Sequence, residues 1–165
     1  FSGCVKLTSV TIPNSVTAIG SRAFWTCSGL TMINVDSENK YYKSIDGVLF
    51  NFDVTTLIQC PKGNSRTNYV IPNSVTAIGN GAFSDCNRLT SVTIPNSVTT
   101  IDINAFAGCS RLKEVINYAQ EPQQVSETIF SSVNLSNVRL SVPSLSLDKY
   151  KNADAWSGFG EFKGM

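Results

Sequence analysis

The sequence predicts a β-rich α/β solenoid, because short residue patterns recur along most of the chain. Nine residues, Ile-Pro-Asn-Ser-Val-Thr-Ala-Ile-Gly, occupy 12–20 and recur unchanged at 71–79. A second pattern, Phe-x-x-Cys-x-x-Leu, starts at Phe1, Phe24, Phe83 and Phe106. Self-similarity at a fixed period is the sequence signature of a solenoid, in which each unit packs only against its neighbours.

The unit length follows from a frame that begins at the leucine of the second pattern. This frame gives units of 23, 36, 23, 23 and 23 residues, and the second unit therefore contains an insertion. The six frames start at Leu7, Leu30, Arg66, Leu89, Leu112 and Leu135.

Each unit is predicted to begin with a short strand. In the first unit, apolar Val10 and Ile12 alternate with polar residues, which is the period of a half-buried strand. Pro13 has no N–H to donate to a neighbouring strand, so the strand ends there. The six strands are expected to form one parallel sheet.

The rest of each unit is predicted to close the coil. A Pro-Asn-Ser turn leads into a short extended segment that ends at Gly20, and Arg22–Leu30 is expected to form one turn of α- or 3-10 helix. A single unit cannot bury its own apolar side, so stacked neighbours must supply the core.

An insert at about residues 36–65 interrupts the repeat. Asp46-Gly47 is a turn signal, and the residues Val48–Phe50 and Thr55–Gln59 are predicted to pair as a β-hairpin. The solenoid with this insert is predicted to span 1–143. Because solenoids need a covered end, residues 144–165 are interpreted as its cap, with a short helix followed by Trp156, Phe159 and Phe162.

Composition excludes several functions. The net charge is +1 and only 15% of residues are charged, which argues against nucleic-acid binding and against electrostatic capture on anionic lipid. The sequence contains no histidine, which excludes His-dependent catalytic triads and the HExxH metal site. No segment is long and apolar enough to span a membrane. We expect no catalytic residues, no metal and no cofactor.

Four of the five cysteines, Cys4, Cys27, Cys86 and Cys109, share one position of the repeat. We expect them to line up as a buried ladder of small apolar side chains. Disulfides between adjacent coils remain the alternative, because stacking alone does not forbid them. Cys60 lies in the insert, outside this ladder.

The units LTSVTIPNSVTAIGSRAFWTC and LTSVTIPNSVTTIDINAFAGC resemble the BspA-type leucine-rich repeat, with its pattern LxxVxIPxSVTxIGxxAFxxC. The segments DGVLF and TTLIQCP resemble a hairpin insert common in that family, and VPSLSLDKYKNADAWSGF is similar to the ending of such proteins from Bacteroidetes. The resemblance implies a right-handed leucine-rich-repeat solenoid in a bacterial cell-surface or secreted protein, attached to the outer membrane. It also implies non-enzymatic adhesion to proteins, including host matrix proteins, to surface glycans or to other cells.

The outward strand positions, with the non-repeat Trp25, form the candidate binding surface. The alternative is that these small polar side chains only solvate the sheet, and that the chain is a stalk or spacer displaying another domain. Because the chain opens inside a repeat, we interpret it as part of a longer protein whose open first edge allows end-to-end association. The candidate residues are Ser9, Thr11, Trp25, Met32, Asn34, Asn68, Ser91, Thr93, Glu114, Ile116, Asn137 and Arg139.

Overall fold

The computed structural model describes residues 1–165 as a stack of short coils. Short strands provide most of the regular structure, together with one α-helix and four 3-10 helices. The strands are β1 (Ser9–Ile12), β2 (Met32–Val35), β3 (Tyr42–Ile45), β4 (Val48–Asn51), β5 (Thr56–Gln59), β6 (Asn68–Val70), β7 (Ala77–Ile78), β8 (Ser91–Ile94), β9 (Thr100–Ile101), β10 (Glu114–Asn117), β11 (Arg139–Val142) and β12 (Glu161–Gly164). The helices are α1 (Leu147–Lys151) and the 3-10 helices Glu127–Phe130, Leu135–Asn137, Ser144–Ser146 and Asp154–Trp156.

The main sheet contains five parallel strands, in the spatial order β6, β8, β10, β11 and β12. We number the coils one to six by their main strands, which are β1, β2, β6, β8, β10 and β11. Each coil includes the tight turn before its main strand and the extended segment after it, so that Phe24 belongs to coil two and Phe83 to coil four. Side chains alternate across the sheet, so that Val92, Val115 and Leu140 are buried while the residues before them, Ser91, Glu114 and Arg139, are half-buried. The alternation predicted for the main strands is confirmed.

The prediction of one continuous sheet of six repeat strands is wrong. Strands β1 and β2 form a separate two-stranded parallel sheet. The break follows β2, where the Ile33 N–H donates a hydrogen bond of 3.0 Å to the carbonyl oxygen of Gly47 in the insert. The turn of the insert therefore occupies the edge of β2 that coil three would otherwise pair with.

The insert is larger than the predicted hairpin. Strands β4 and β5 pair antiparallel as predicted, but β3 adds a third antiparallel strand through a two-residue turn. Asp46 and Gly47 in this turn have φ angles of 53° and 80°, and an added Cβ on Gly47 would lie 2.9 Å from the Met32 side chain. Only glycine combines this conformation with so close an approach.

A second sheet joins the insert to the repeats. Strand β5 pairs parallel with β7, and β7 pairs parallel with β9, which gives the order β3, β4, β5, β7 and β9. The short extended segments predicted after the Pro-Asn-Ser turns are thus strands in coils three and four. Coil one has no strand there, and its Ile19 N–H instead donates to the Tyr42 hydroxyl at 2.8 Å.

The helical turn predicted for Arg22–Leu30 is a series of tight turns. Arg22 and Thr26 have φ angles of 61° and 57°, in the left-handed region. Two such residues within five positions interrupt right-handed helix, so the segment closes by hydrogen bonds between residues three apart, such as Cys27 N–H to Phe24 C=O. The same position of the turn is left-handed in coils four and five, at Asp85 and Gly108.

Replacing Gly108 with alanine should destabilise the protein by about 1–2 kcal/mol. Its φ of 70° strains any side chain, and an added Cβ would lie 2.3 Å from Asp85 Oδ1. Urea unfolding measures the loss. Gly20→Ala is the matched control, because it has open space around it and should change stability by no more than about 0.5 kcal/mol. Equal effects of the two substitutions would contradict the described turn.

A column of aromatic rings runs through the core of coils four to six, with one ring from each coil. The Phe83 and Phe106 rings stack with centroids 5.1 Å apart, and Phe106 stacks on Phe130 at 5.5 Å. In coil three this position is occupied by Cys60. The Cys60 N–H donates to Ala82 C=O, and one repeat later the Phe83 N–H donates to Ala105 C=O, so Cys60 and Phe83 are equivalent. The column is therefore continuous from coil four to coil six, and Phe1 and Phe24 form a separate stacked pair in the first two coils.

The tail covers the last coil of the column. Trp156 and Phe159 are buried and meet Phe130 edge to face, and Tyr150 from α1 packs against Trp156. The Trp156 indole N–H donates to Gln123 C=O at 3.1 Å. The tail also contributes β12, which pairs with β11, so Phe162 covers the coil from a strand and not from a loop.

Trp156→Ala should reduce the free energy of unfolding by about 3–5 kcal/mol, because it removes a buried ring and a hydrogen bond at the end of the core. Leu145→Ala is the control in the same tail, since Leu145 is 94% exposed and its loss should be nearly neutral. Urea unfolding followed by far-UV circular dichroism compares the two. Similar small effects would show that the tail does not support the solenoid.

Candidate binding surface

The outward face of the main sheet carries two rows of side chains. Each row contains one residue from each strand, at positions that face one another across the strand pairs. The first row is Asn68, Ser91, Glu114, Arg139 and Glu161, and the second is Val70, Thr93, Ile116, Ser141 and Lys163. Ser141 is the buried member of the second row, with 3% of its surface exposed. We call the two rows together the sheet face.

The candidate residues of the first two coils lie outside the sheet face. Ser9 pairs with Met32 and Thr11 pairs with Asn34 in the small separate sheet. The predicted continuous columns are therefore divided in two at the insert.

In coil six the predicted register is wrong by two residues. Arg139, and not Asn137, pairs with Glu114, and Ser141 takes the place in the second row expected for Arg139. Asn137 lies before the strand, at the end of a 3-10 helix. A shift of two residues keeps the same side chains inward, since Val138, Leu140 and Val142 are all buried, so the hydrophobic pattern does not distinguish the two registers.

Charges cluster at the later strands of the sheet face. The Arg139 guanidinium lies 3.0 Å from a carboxylate oxygen of Glu161 and 3.9 Å from one of Glu114. The Ser141 hydroxyl donates to the same Glu114 oxygen at 3.2 Å. These pairs are partly exposed and contribute little to stability, but they hold both carboxylates and the guanidinium in one arrangement.

The earlier strands of the sheet face are uncharged and partly apolar. Val70 is 69% exposed, and Ile116 is half-buried two strands away in the same row. Thr93 lies between them, and Asn68 and Ser91 lie beside them in the first row. We call Val70, Thr93 and Ile116 together the apolar strip. The sheet face thus has an apolar strip, a polar border and a charged end, and this composition is suited to contact with another protein.

Trp25 lies away from the sheet face, on the side formed by the turns. It is half-buried between two cations, with the Arg22 guanidinium 5.1 Å and the Lys62 ammonium 4.6 Å from its ring centre. The Lys62 ammonium also pairs with Asp85 at 2.5 Å. These contacts make Trp25 part of the packing between coils two, three and four, and separate it from the other candidate residues.

The five cysteines are free, and three of the four in the repeat position are buried. Cys27 donates to Phe1 C=O at 3.0 Å and Cys109 to Phe83 C=O at 3.1 Å, so the thiols are hydrogen-bonded across coils. Cys4 is the exception and is exposed, because no coil packs over it.

Cys60 lies outside the repeat position of the ladder, as expected, but it is not separate from the ladder in space. Cys60 is buried beside Cys86, and both thiols lie 3.9 Å from the carbonyl oxygen of Pro61. A hydrogen bond with the Cys60 thiol, together with burial, raises the pKa of Cys86 well above its ordinary value. Burial likewise raises the pKa of Cys109 to about 12.

In the folded protein, iodoacetamide at pH 8 should label one thiol rapidly, and all five should react in denaturant. The reagent attacks the thiolate, which is scarce at Cys86 and Cys109, whereas Cys4 is exposed. Intact-mass spectrometry over time counts the modified thiols. Cys4→Ser should abolish the fast reaction, and two or more fast thiols in the folded protein would contradict the buried placement.

No group of three or more cysteine, aspartate or glutamate side chains is arranged to hold a metal ion. None of the helices has the length and the apolar character needed to cross a lipid bilayer.

Stacked coils of about 23 residues, each with one short strand that pairs parallel with a neighbouring coil, are the architecture of leucine-rich-repeat proteins. The family model described as the BspA type leucine rich repeat region matches the chain at residues 1–66 and 58–153, in six copies. The chain belongs to the BspA-type leucine-rich repeat family. No curated protein is similar enough in sequence to be matched.

Two solved bacterial structures are similar to the chain. A leucine rich cell surface protein from Faecalibacterium prausnitzii is 26% identical, with a TM-score of 0.66, over 95% of this chain and 48% of that protein. A leucine-rich repeat protein from Eubacterium ventriosum is 23% identical, with a TM-score of 0.59, over 88% of this chain and 47% of that protein. The chain thus spans about half the length of these structures.

Proposed function

We propose that this chain is a non-enzymatic interaction module of a bacterial cell-surface protein, and that it binds partner proteins through the sheet face. The observation that carries the proposal is the apolar strip of the sheet face, where Val70 is 69% exposed, Thr93 lies next to it and Ile116 lies one strand further along. Solvation of the sheet does not require an apolar side chain at this position.

Location at the cell surface is supported by family membership and by the similar protein from Faecalibacterium prausnitzii, which is described as a cell surface protein. Attachment to an outer membrane stays a prediction from the resemblance of the tail.

The charged end of the sheet face supports binding over catalysis. A carboxylate pair acting as acid and base needs two groups in different protonation states. Here Glu114 and Glu161 both lie beside the same guanidinium of Arg139, so their surroundings do not assign one of them the part of acid and the other the part of base. Such an arrangement suits complementary pairing with charges of a partner protein.

Val70→Asp should weaken binding to a protein partner at least tenfold, because it places a charge on the most exposed apolar side chain of the proposed contact. The measurement is surface plasmon resonance of the purified chain over immobilised fibronectin, fibrinogen, laminin and type I collagen. Ile103→Asp is the matched control, since Ile103 is a 42% exposed residue on a turn outside the sheet face. Circular dichroism establishes that both variants are folded.

Equal losses in the two variants would place the binding surface elsewhere. Absence of binding to all four proteins would support the alternative function, in which the repeats act as a stalk or spacer.

A further inference from the structure

A groove of about 480 Å³ runs across four coils on the surface formed by the turns that follow the main strands. It begins at Asn73 in coil three and ends at Pro143 in coil six and at Met165, the residue that follows β12. Its length lies along the stacking direction, so it can hold a linear ligand across successive coils. Its volume is within the range of small-molecule sites, about 300–1,000 Å³.

The groove contains the one exposed aromatic that replaces a proline of the repeat. Coils three, four and six end their strands with proline, at Pro72, Pro95 and Pro143, whereas coil five has Tyr118 at this position. Tyr118 is 48% exposed and lines the groove between Pro95 and Pro143. Proline is sufficient to end the strand in the other coils, so the stacking of the solenoid does not explain why an aromatic ring is present here.

A buried polar network fixes the turn that presents Tyr118. The preceding residue, Asn117, is fully buried where coil four has Ile94. Its amide donates to Gln123 Oε1 at 2.9 Å and accepts from the Ala119 N–H at 3.1 Å. Gln123 in turn donates to Val98 C=O at 2.9 Å. Each buried amide is therefore paired, and Tyr118 is held by a rigid turn.

Amide groups border the ring. Asn73 and Asn96 occupy the same position in successive coils, and Gln120 lies beyond Tyr118. The Ser146 hydroxyl donates to the Gln120 backbone carbonyl at 2.8 Å and reaches its Oε1 at 3.4 Å. This orients the Gln120 side chain and leaves its NH₂ group available. An amide offers both donors and acceptors, which is what hydroxyl groups of a ligand require.

The groove carries no charged side chain. The other four sizeable depressions of the surface each contain at least one, such as Lys62, Asp85 and Arg88 in one of them and Glu38 and Lys40 in another. A neutral lining favours a neutral ligand, because a charged ligand would lose hydration without gaining a counter-charge.

We propose that this groove binds a neutral polysaccharide, with one sugar ring stacked on Tyr118 and its hydroxyls bonded to the amides of Asn96 and Gln120. The C–H bonds on one face of a sugar ring pack against the electron-rich face of an aromatic ring. The uncharged amides recognise hydroxyls in either donor or acceptor orientation. The site lies apart from the sheet face, so it adds a second class of ligand and does not depend on the proposed protein binding.

Affinity gel electrophoresis tests the proposal, with the chain run through gels containing dextran, mannan, arabinogalactan, xylan or mixed-linkage β-glucan. Gels containing heparin or polygalacturonate, which are charged polymers, serve for comparison. At least one neutral polymer should retard the chain, equally at 50 mM and 500 mM NaCl. The measured quantity is the apparent Kd for the polymer, obtained from the mobility at several polymer concentrations. Tyr118→Ala should raise this Kd at least tenfold and Asn96→Ala several-fold, whereas Tyr118→Phe should leave it nearly unchanged because the ring remains. Tyr41→Ala is the control, since Tyr41 is a 51% exposed tyrosine outside the groove.

Three results would overturn the proposal: no retardation by any of the neutral polymers, retardation unaffected by Tyr118→Ala, or retardation only by heparin or polygalacturonate. Binding of a polyproline peptide with loss on Tyr118→Ala, in the absence of polysaccharide binding, would assign the groove to a protein ligand instead. Val70→Asp leaves this groove intact and should retain polysaccharide binding, so failure of the groove and failure of the sheet face are distinguished.

Discussion

Backbone hydrogen bonds between successive coils are the constraint on which the structure depends. Lys113 N–H bonds to Thr90 C=O and Thr90 N–H bonds to Thr67 C=O, so equivalent residues one unit apart are joined. Because a coil is too short to pair its own backbone groups, a neighbour one repeat away must provide the partners. Because paired residues must be one unit apart in the sequence, the unit length stays at 23 residues in these coils even where the loop residues vary.

The same constraint explains what happens at the insert and at the tail. Where the insert interrupts the repeat, its own turn pairs with β2 through Gly47, and its strand β5 continues the second sheet through β7. At the other end, β12 provides partners for β11, and Trp156 covers the ring of Phe130. Each interruption is therefore accommodated by a segment that supplies both backbone partners and apolar cover.

Residues that depart from the repeat carry most of the functional information. A repeat position is explained by stacking alone, but Val70 exposes an apolar side chain that stacking does not need. Tyr118 replaces a strand-ending proline, and the buried Asn117–Gln123 pair supports that replacement. Trp25 is the contrary case: it also departs from the repeat, yet Arg22 and Lys62 enclose its ring and it serves packing. A residue that differs from the repeat pattern therefore indicates a binding site only when its side chain remains accessible to solvent.

The sequence by itself determined the repeat, the main strands of coils one to five and the antiparallel pairing of β4 with β5, because these follow from local periodicity and from the properties of proline and glycine. It also indicated that the tail aromatics cover the last coil, because they are large, closely spaced and outside the repeat. It did not determine the break between β2 and β6, the strand β12 or the register of coil six. Pairing partners are chosen by competition among segments far apart in the chain, and a shift of two residues leaves the inward pattern of Val138, Leu140 and Val142 unchanged. The burial of Cys60 beside Cys86 has the same cause. The length of the insert places Cys60 at the position of the aromatic column, but this position exists only once the coils are stacked.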